Sequence, residues 1–340
     1  MLAWSAVEAC SYTLQIVNSL TVTWCARHES IESRWRHDAR CGDRRRGAAG
    51  ASAATLLARS MRKVRVVDSG RPRNSPAGSV HGYLGLDGVP PAHLSQAGRA
   101  EAQLYGAGWS TGVAVSAHKM ADGTFAIRDD TGEVHRARAV VATGLRDDLP
   151  DIDGVREMWG QGVAHCPYCH GYEVRGGRIG VIGGGNRGFT LHQAELLRLW
   201  SSDVEFFPHT VELTHAERER LTRWGVTVTD GRVKKLEHVG HDIAVQIEDD
   251  RVAARSAVFV GPQFVPNDAL LRELGCRPTS EGWIDVDGAG ATSVGGVWSA
   301  GNVTDSPAQL IHAAAQGTRT GIAVNRALLE HDVLERSTRR

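Results

Sequence analysis

The sequence predicts an α/β fold with parallel sheets, and three stretches carry the prediction. Arg178-Ile179-Gly180-Val181-Ile182 is an apolar strand running into Gly183-Gly184-Gly185-Asn186-Arg187-Gly188, after which Leu191, Ala194, Leu197 and Trp200 mark one face of a helix. Gly47-Ala48-Ala49-Gly50 opens a small-residue helix that leads to the alternating strand Lys63–Asp68. Ser293 to Asn302 repeats a strand ending in glycine, and a second small-residue helix opens from Pro307. Strands alternating with helices of this length are the mark of βαβ units, and 340 residues leave room for two such domains.

In the first half, residues 1–40 show neither a helical nor a strand period for long, and Trp24, Arg34, Trp35, Arg36, His37 and Arg40 crowd without pattern. A glycine-started helix followed by a strand ending in an acid, here Asp68, is the second half of a dinucleotide-binding unit, the acid serving a ribose hydroxyl. Where its first strand is expected stands Cys41-Gly42-Asp43-Arg44-Arg45-Arg46, whose adjacent charges are too costly for a buried parallel strand. A shifted reading frame is one explanation: GGT-GAT-CGT-CGG-CGG read one nucleotide later encodes Val-Ile-Val-Gly-Gly. A natural divergent N-terminus is the other. After Asp68, the segment from Ser69 to Pro76 is a turn-rich loop, and His81-Gly82-Tyr83-Leu84-Gly85 is expected over the cofactor. Pro90 to Gly106 is helix-like, Thr124–Arg128 and Glu133–Arg138 are antiparallel strands, and Ala139 to Gly144 is a buried strand ending at glycine.

The second half holds the densest chemistry. In His165-Cys166-Pro167-Tyr168-Cys169-His170-Gly171, two thiols two residues apart can close a small disulfide ring, and the flanking histidines can lower a thiol pKa. The same spacing suits half a zinc site, but no second Cys-x-x-Cys or His-x-x-x-His completes four ligands, so no metal is expected. The glycines Gly183, Gly185 and Gly188 permit a tight turn and close approach of a pyrophosphate to the following helix start. After the strand Val204–Phe207, Pro208-His209-Thr210 offers no arginine pair for a 2′-phosphate, leaving NADPH and NADH both open. Val226–Val228, a hairpin over Lys234–Ile247, the strand Ser256–Gly261 and a strand at Ile284–Asp287 continue the sheets.

Composition excludes several classes. Lys plus Arg and Asp plus Glu both number 39, and no basic stripe alternates with aromatics, which argues against nucleic acid as a partner. No apolar run reaches the roughly 20 residues of a membrane span, and residues 1–25 lack the basic start of a signal peptide, so a cytoplasmic protein is expected. Six cysteines do not make a disulfide scaffold, which points to a redox role for the Cys166/Cys169 pair.

Taken together, the Thr143-Gly144 strand end, Cys166-Pro167-Tyr168-Cys169, the second glycine fingerprint and the run from Thr292 to Asn302 resemble the low-molecular-weight thioredoxin reductase family of flavin-dependent pyridine-nucleotide disulfide oxidoreductases. The resemblance implies two Rossmann-like, three-layer domains, the FAD domain split by an inserted NAD(P)-binding domain. Residues 47–152 and 262–330 form the first, 153–261 form the second with the dithiol, 1–46 are an atypical and poorly ordered segment, and 331–340 are a tail. It implies that Gly47, Gly50 and Asp68 hold the adenosine side of FAD, that Thr143 and Gly144 line the same domain, and that Asn302, Val303, Ala308 and Gln309 meet the ribityl chain and flavin. Gly183, Gly185, Asn186 and Gly188 would hold NADPH or NADH, and Cys166, Cys169 and His170 would be catalytic in a homodimer. The implied reaction passes electrons from NAD(P)H through flavin to the Cys166–Cys169 disulfide, then to a thioredoxin-like protein or a small disulfide. His170 and Asn302 stand where the family has Asp; His170 supplies a proton donor with a pKa near the ordinary 6.5. Pro-Tyr between the cysteines and His-Gly after them are similar to a branch of flavoprotein dithiol oxidases, so oxidation of a small dithiol with oxygen as acceptor is the alternative. A catalytically impaired binding or regulatory relic is the alternative from another class.

Overall fold

The computed structural model describes residues 13–18, 20–23 and 47–338. The arginine run 44–46, its reading-frame explanation and the aromatic crowd at 24–37 lie outside the described residues. The chain divides into two compact units: Met1–Ser75, Gly82–Arg146 and Pro266–Arg340 form the first, and Pro76–His81 with Asp147–Val265 the second. The inserted unit thus extends a few residues beyond 153–261 at each end, and it also takes in the short segment Pro76–His81, which the sequence assigned to the first.

The first unit is organised on a six-stranded sheet whose order is Val297–Ala300, Val140–Thr143, Thr13–Asn18, Leu20–Thr23, Lys63–Asp68 and Gly108–Thr111. The expectation that the first strand of this unit is missing is corrected: Thr13–Asn18 runs parallel to Lys63–Asp68, from Thr13 opposite Lys63 to Asn18 opposite Asp68, and also meets Val140–Thr143. Val64, Val66 and Val67 are all buried, as expected of a parallel strand covered on both faces. One face packs against Ala54 and Leu57 of the helix Ala48–Arg59 with Ala102 and Val324; the other joins Val67 to Phe125, Ile127, Leu271 and Val303. The small residues of Ala48–Arg59 let the C-terminal helix Leu310–Thr338 approach it so closely that a Cβ on Gly317 would lie 1.9 Å from the Ala49 carbonyl oxygen. That helix runs through the expected tail to Thr338.

A three-stranded antiparallel sheet, Ala114–Lys119, Phe125–Asp129 and Val134–Ala137, completes the first unit, with Ile127 opposite His135. Its first strand escaped the sequence because only Ala117 along it is buried. The expected strand at Ile284–Asp287 is instead a pair of isolated bridges, Ile284 to Pro278 and Val286 to Thr292.

The second unit has a five-stranded parallel sheet ordered Val163–Ala164, Ala257–Val260, Arg178–Ile182, Asp203–Phe207 and Val226–Val228. Arg178–Ile182 lies between two neighbours, which explains its unbroken burial from Ile179 to Ile182. Helix Arg187–Leu197 follows it and presses Ala194 and Leu197 onto Val181, Val204 and Phe206. An antiparallel sheet of Val233–Val239, Asp242–Ile247 and Val252–Arg255 covers the other side through Leu236, Val245 and Ile247. Among the described residues no helix is long and apolar enough to cross a membrane.

Candidate active site: a dithiol and two open helix starts

Pro167 fixes the first turn of a short helix, Pro167–His170, and Cys166 stands at its N-terminal flank. Cys166 and Cys169 are joined as a disulfide with Cα atoms 5.2 Å apart, within the ordinary range for such a bridge. The amides of Cys169 and His170 both donate to the Cys166 carbonyl at 3.1 Å, so the ring is built on one hydrogen-bonded turn. Gln193, 1% exposed, anchors this turn from the helix Arg187–Leu197: its Nε2 donates to the carbonyls of His165 at 2.6 Å and Val260 at 3.3 Å. Its buried Oε1 has no hydrogen-bond partner.

The two histidines beside the thiols differ. The His165 ring stacks on Trp159 at 5.6 Å and meets Phe264 edge-on, an aromatic packing role. Burial pushes the His170 imidazole below its ordinary value, with Glu173 pulling it up and His81 pushing it down. The expected ordinary pKa of His170 is therefore corrected downward, which favours the neutral ring. The one group of three metal-type ligands among the described residues is Asp129, Glu133 and His135, and it includes neither cysteine.

In the same unit, a Cβ on Gly183 would fall 2.3 Å from the Pro208 carbonyl oxygen, so only glycine lets this turn pass the end of the neighbouring strand. Gly185 faces the side chain of Gln263, 2.4 Å from where its Cβ would be, and Gly188 opens onto free space. Asn186 flanks the helix start without capping it, its Nδ2 donating instead to the Pro262 carbonyl at 3.3 Å. No acidic residue occupies the first turn, so the helix start suits a pyrophosphate. Arg187 is committed to Glu217, whose carboxylate it and Thr214 hold down at about 2. After the strand Asp203–Phe207, the His209 Nδ1 accepts the Val233 amide, and burial beside Arg232 lowers its pKa.

The first unit repeats the pattern. Gly47 flanks the helix Ala48–Arg59 in an extended conformation with no side-chain cap and no acid in the first turn, and Gly50 is buried in it. Asp68, 2% exposed at the strand end, accepts the Gly70 amide at 2.9 Å. Thr143 pairs with Ala300 across the sheet, and the Gly144 carbonyl accepts the Asn267 amide. Asn302 does not extend its amide outward: its Nδ2 donates to the carbonyls of Asp305, Ser306 and Ala308 and shapes the turn. Val303 is fully buried in the core, so its backbone alone is left to meet a ligand, and the buried Ala308 lends that turn its carbonyl. Gln309 Oε1 lies 3.8 Å from the Cβ position of Gly82, which sits beside it. Gln316, which the sequence did not reveal, links the Gly301 amide to Asp305 at 2.8 Å each and fixes the turn to the helix Leu310–Thr338. These uncapped, acid-free glycine starts fit the pyrophosphates of two dinucleotides, one in each unit.

The family model described as pyridine nucleotide-disulphide oxidoreductase matches residues 46–317. The chain belongs to this family. It is accordingly a thioredoxin reductase-like oxidoreductase whose cofactors are FAD and NAD(P)H. It is 31% identical to the thioredoxin reductase tcpT of Claviceps purpurea over 270 residues, 75% of this chain and 84% of that protein. It is 28% identical to the thioredoxin reductase sirT of Leptosphaeria maculans over 321 residues, 86% and 94% of the two chains. Among solved structures it resembles HlmI at 42% identity with a TM-score of 0.83, covering 86% of this chain and 93% of that one. It also resembles an oxidoreductase from Agrobacterium tumefaciens at 32% identity and a TM-score of 0.76, covering 83% and 96%.

Proposed function

We propose that the Cys166–Cys169 pair carries electrons from NAD(P)H to a disulfide substrate, either a thioredoxin-like protein or a small disulfide, in a cytoplasmic homodimer. The first unit, through Gly47, Gly50, Asp68, Thr143, Gly144 and the turn from Asn302 to Gln309, takes FAD; the second, through Gly183, Gly185, Asn186 and Gly188, takes the nicotinamide nucleotide. The observation that carries this reading is a disulfide held on the same unit as an open glycine-cradled helix start.

When bound, FAD supplies the two-electron link between nicotinamide and disulfide. The protein's own residues do the rest. Two electrons and two protons convert the Cys166–Cys169 disulfide to a dithiol. His170 takes the proton of one thiol, and the thiolate attacks the substrate disulfide RS–SR′, forming a mixed disulfide and releasing R′S⁻, which His170 reprotonates. The second cysteine, as thiolate, then displaces RS⁻, re-forming the Cys166–Cys169 bond; its proton goes to RS⁻. The substrate leaves as two thiols, and the electrons balance. Gln193 keeps the ring in register by holding the carbonyl before Cys166.

The test is turnover of insulin-coupled thioredoxin and of a small aromatic disulfide with NADPH and NADH as donors. Cys166→Ser and Cys169→Ser are each expected to abolish disulfide reduction while flavin content and melting temperature stay at the wild-type level. Undiminished turnover in both variants would refute the dithiol role.

A further inference from the structure

The segment after the strand Ala257–Val260 returns to the glycine start of the helix Arg187–Leu197 and is pinned along it. The Val260 carbonyl accepts Gln193 Nε2 at 3.3 Å, and the Pro262 carbonyl accepts Asn186 Nδ2 at 3.3 Å. A Cβ on Gly261 would lie 2.4 Å from Thr190 Cγ2, so this residue passes the helix at the closest approach that glycine permits. Phe264 then meets the Phe189 ring edge-on at 5.4 Å. Between Pro262 and Phe264 stands the exposed Gln263, and its side chain lies over Gly185. A Cβ built on that glycine would lie 2.4 Å from Gln263 Nε2, 3.3 Å from its Cδ and 3.4 Å from its Cγ. With the backbone fixed on either side, the reach of this side chain is confined to the neighbourhood of the glycine start.

Gly185 is where the backbone lets a pyrophosphate come close to the helix start. A pyrophosphate seated there meets the Gln263 side chain as well as the amides of the first turn. A primary amide carries two N–H donors, and a hydrogen bond to a charged phosphate oxygen is among the stronger kinds. Arg187, in the first turn of the same helix, is committed to Glu217 and to the Glu212 carbonyl. A neutral donor is therefore what the segment brings to this position.

We propose that Gln263 is a nucleotide-binding residue: its side-chain amide lies across Gly185 and donates to the pyrophosphate of the nicotinamide nucleotide, adding to the donors of the helix start. The proposal rests on the reading of Gly183, Gly185 and Gly188 as the nucleotide cradle. The competing role is obstruction, in which the side chain fills space that the nucleotide needs and must be pushed aside. Donation and obstruction give opposite signs for one substitution, because removing a donor weakens binding and removing an obstacle strengthens it. Donation to the pyrophosphate also acts on a group common to NAD⁺ and NADP⁺, so both affinities should change by the same factor.

The experiment is calorimetric titration of the flavin-loaded full chain with NAD⁺, NADP⁺ and ADP-ribose, none of which reduces flavin. Gln263→Ala should weaken all three about tenfold, the low end for a hydrogen bond to a charged group. Gln263→Glu should weaken them further, because a carboxylate beside the phosphates repels them, and high salt should shrink the extra loss. Gln263→Lys keeps a donor at the position and should restore wild-type affinity or exceed it. Flavin absorbance and melting temperature should stay at the wild-type level in each, as the side chain is exposed; Gln263→Ser replaces Gln263→Ala if the latter loses flavin, with the same expectation. Unchanged or tighter binding in Gln263→Ala overturns the proposal, as does Gln263→Glu binding no worse than Gln263→Ala, or a loss confined to one of the two nucleotides. If wild type binds none of the three ligands, the reading of the glycine cradle fails and the proposal falls with it; if wild type binds them and Gln263→Ala binds equally well, the proposal alone fails.

Discussion

At the scale of single residues, the site is set by side chains that contact backbone far away in sequence. Gly185 shows how this revises an expectation. A valine there meets the Gln263 side chain, with its Nε2 2.4 Å and its Cδ 3.3 Å from the Cβ position. Gln263 must move, and the added methyls then narrow the approach to the helix start. Gly185→Val is expected to weaken nicotinamide-nucleotide binding by roughly 1–3 kcal/mol, about 5- to 150-fold, with flavin content unchanged. Calorimetric titration with the nucleotide checks it, and loss of flavin at unchanged nucleotide affinity would mean that the two nucleotide sites are exchanged. Cys166, Cys169, His170 and the glycines were readable because their chemistry depends on neighbours in sequence. Gln193 and Gln316 were not, since each acts through partners 28 and 15 residues away that only the fold brings near.

At the scale of elements, Arg178–Ile182 with its glycine turn and helix was legible because its strand is buried on both faces and its period changes sharply at the turn. Thr13–Asn18 was not, because its six residues mix polar and apolar side chains and the segment after it departs from the expected glycine run. Ile284–Asp287 alternates like a strand but pairs through isolated bridges alone. The packing of Leu310–Thr338 on Ala48–Arg59 gives the most demanding prediction at this scale. In Gly317→Ala the new methyl must displace the Ala49 backbone in the first turn of the helix that carries the first unit's glycine start. The expected cost is roughly 1–3 kcal/mol of stability together with a lowered flavin-to-protein ratio. Thermal melting and visible absorbance measure both, and a variant with wild-type melting and full flavin would show that this contact does not position the site.

At the scale of the whole molecule, the two units divide the chemistry, and the dithiol unit also contains a pH dependence of folding. Burial is the leading cause that lowers both the His170 and His209 pKa values from 6.5. The unfolded chain therefore takes up protons on these rings at a higher pH than the folded chain does. Their contribution is fully present above the unfolded value, declines as pH falls below it, and stops declining below the folded values. Denaturant unfolding of wild type across that range should show this loss, and His209→Gln should flatten part of it; equal slopes in the two proteins would contradict the assignment of His209. The central claim is that electrons from NAD(P)H reach the Cys166–Cys169 disulfide, and anaerobic reductive titration followed by visible absorbance tests it most directly. Wild type should consume about two equivalents of NAD(P)H per flavin and Cys166→Ser about one, the difference being the pair of electrons stored in the dithiol. Equal consumption by the two proteins would contradict the account.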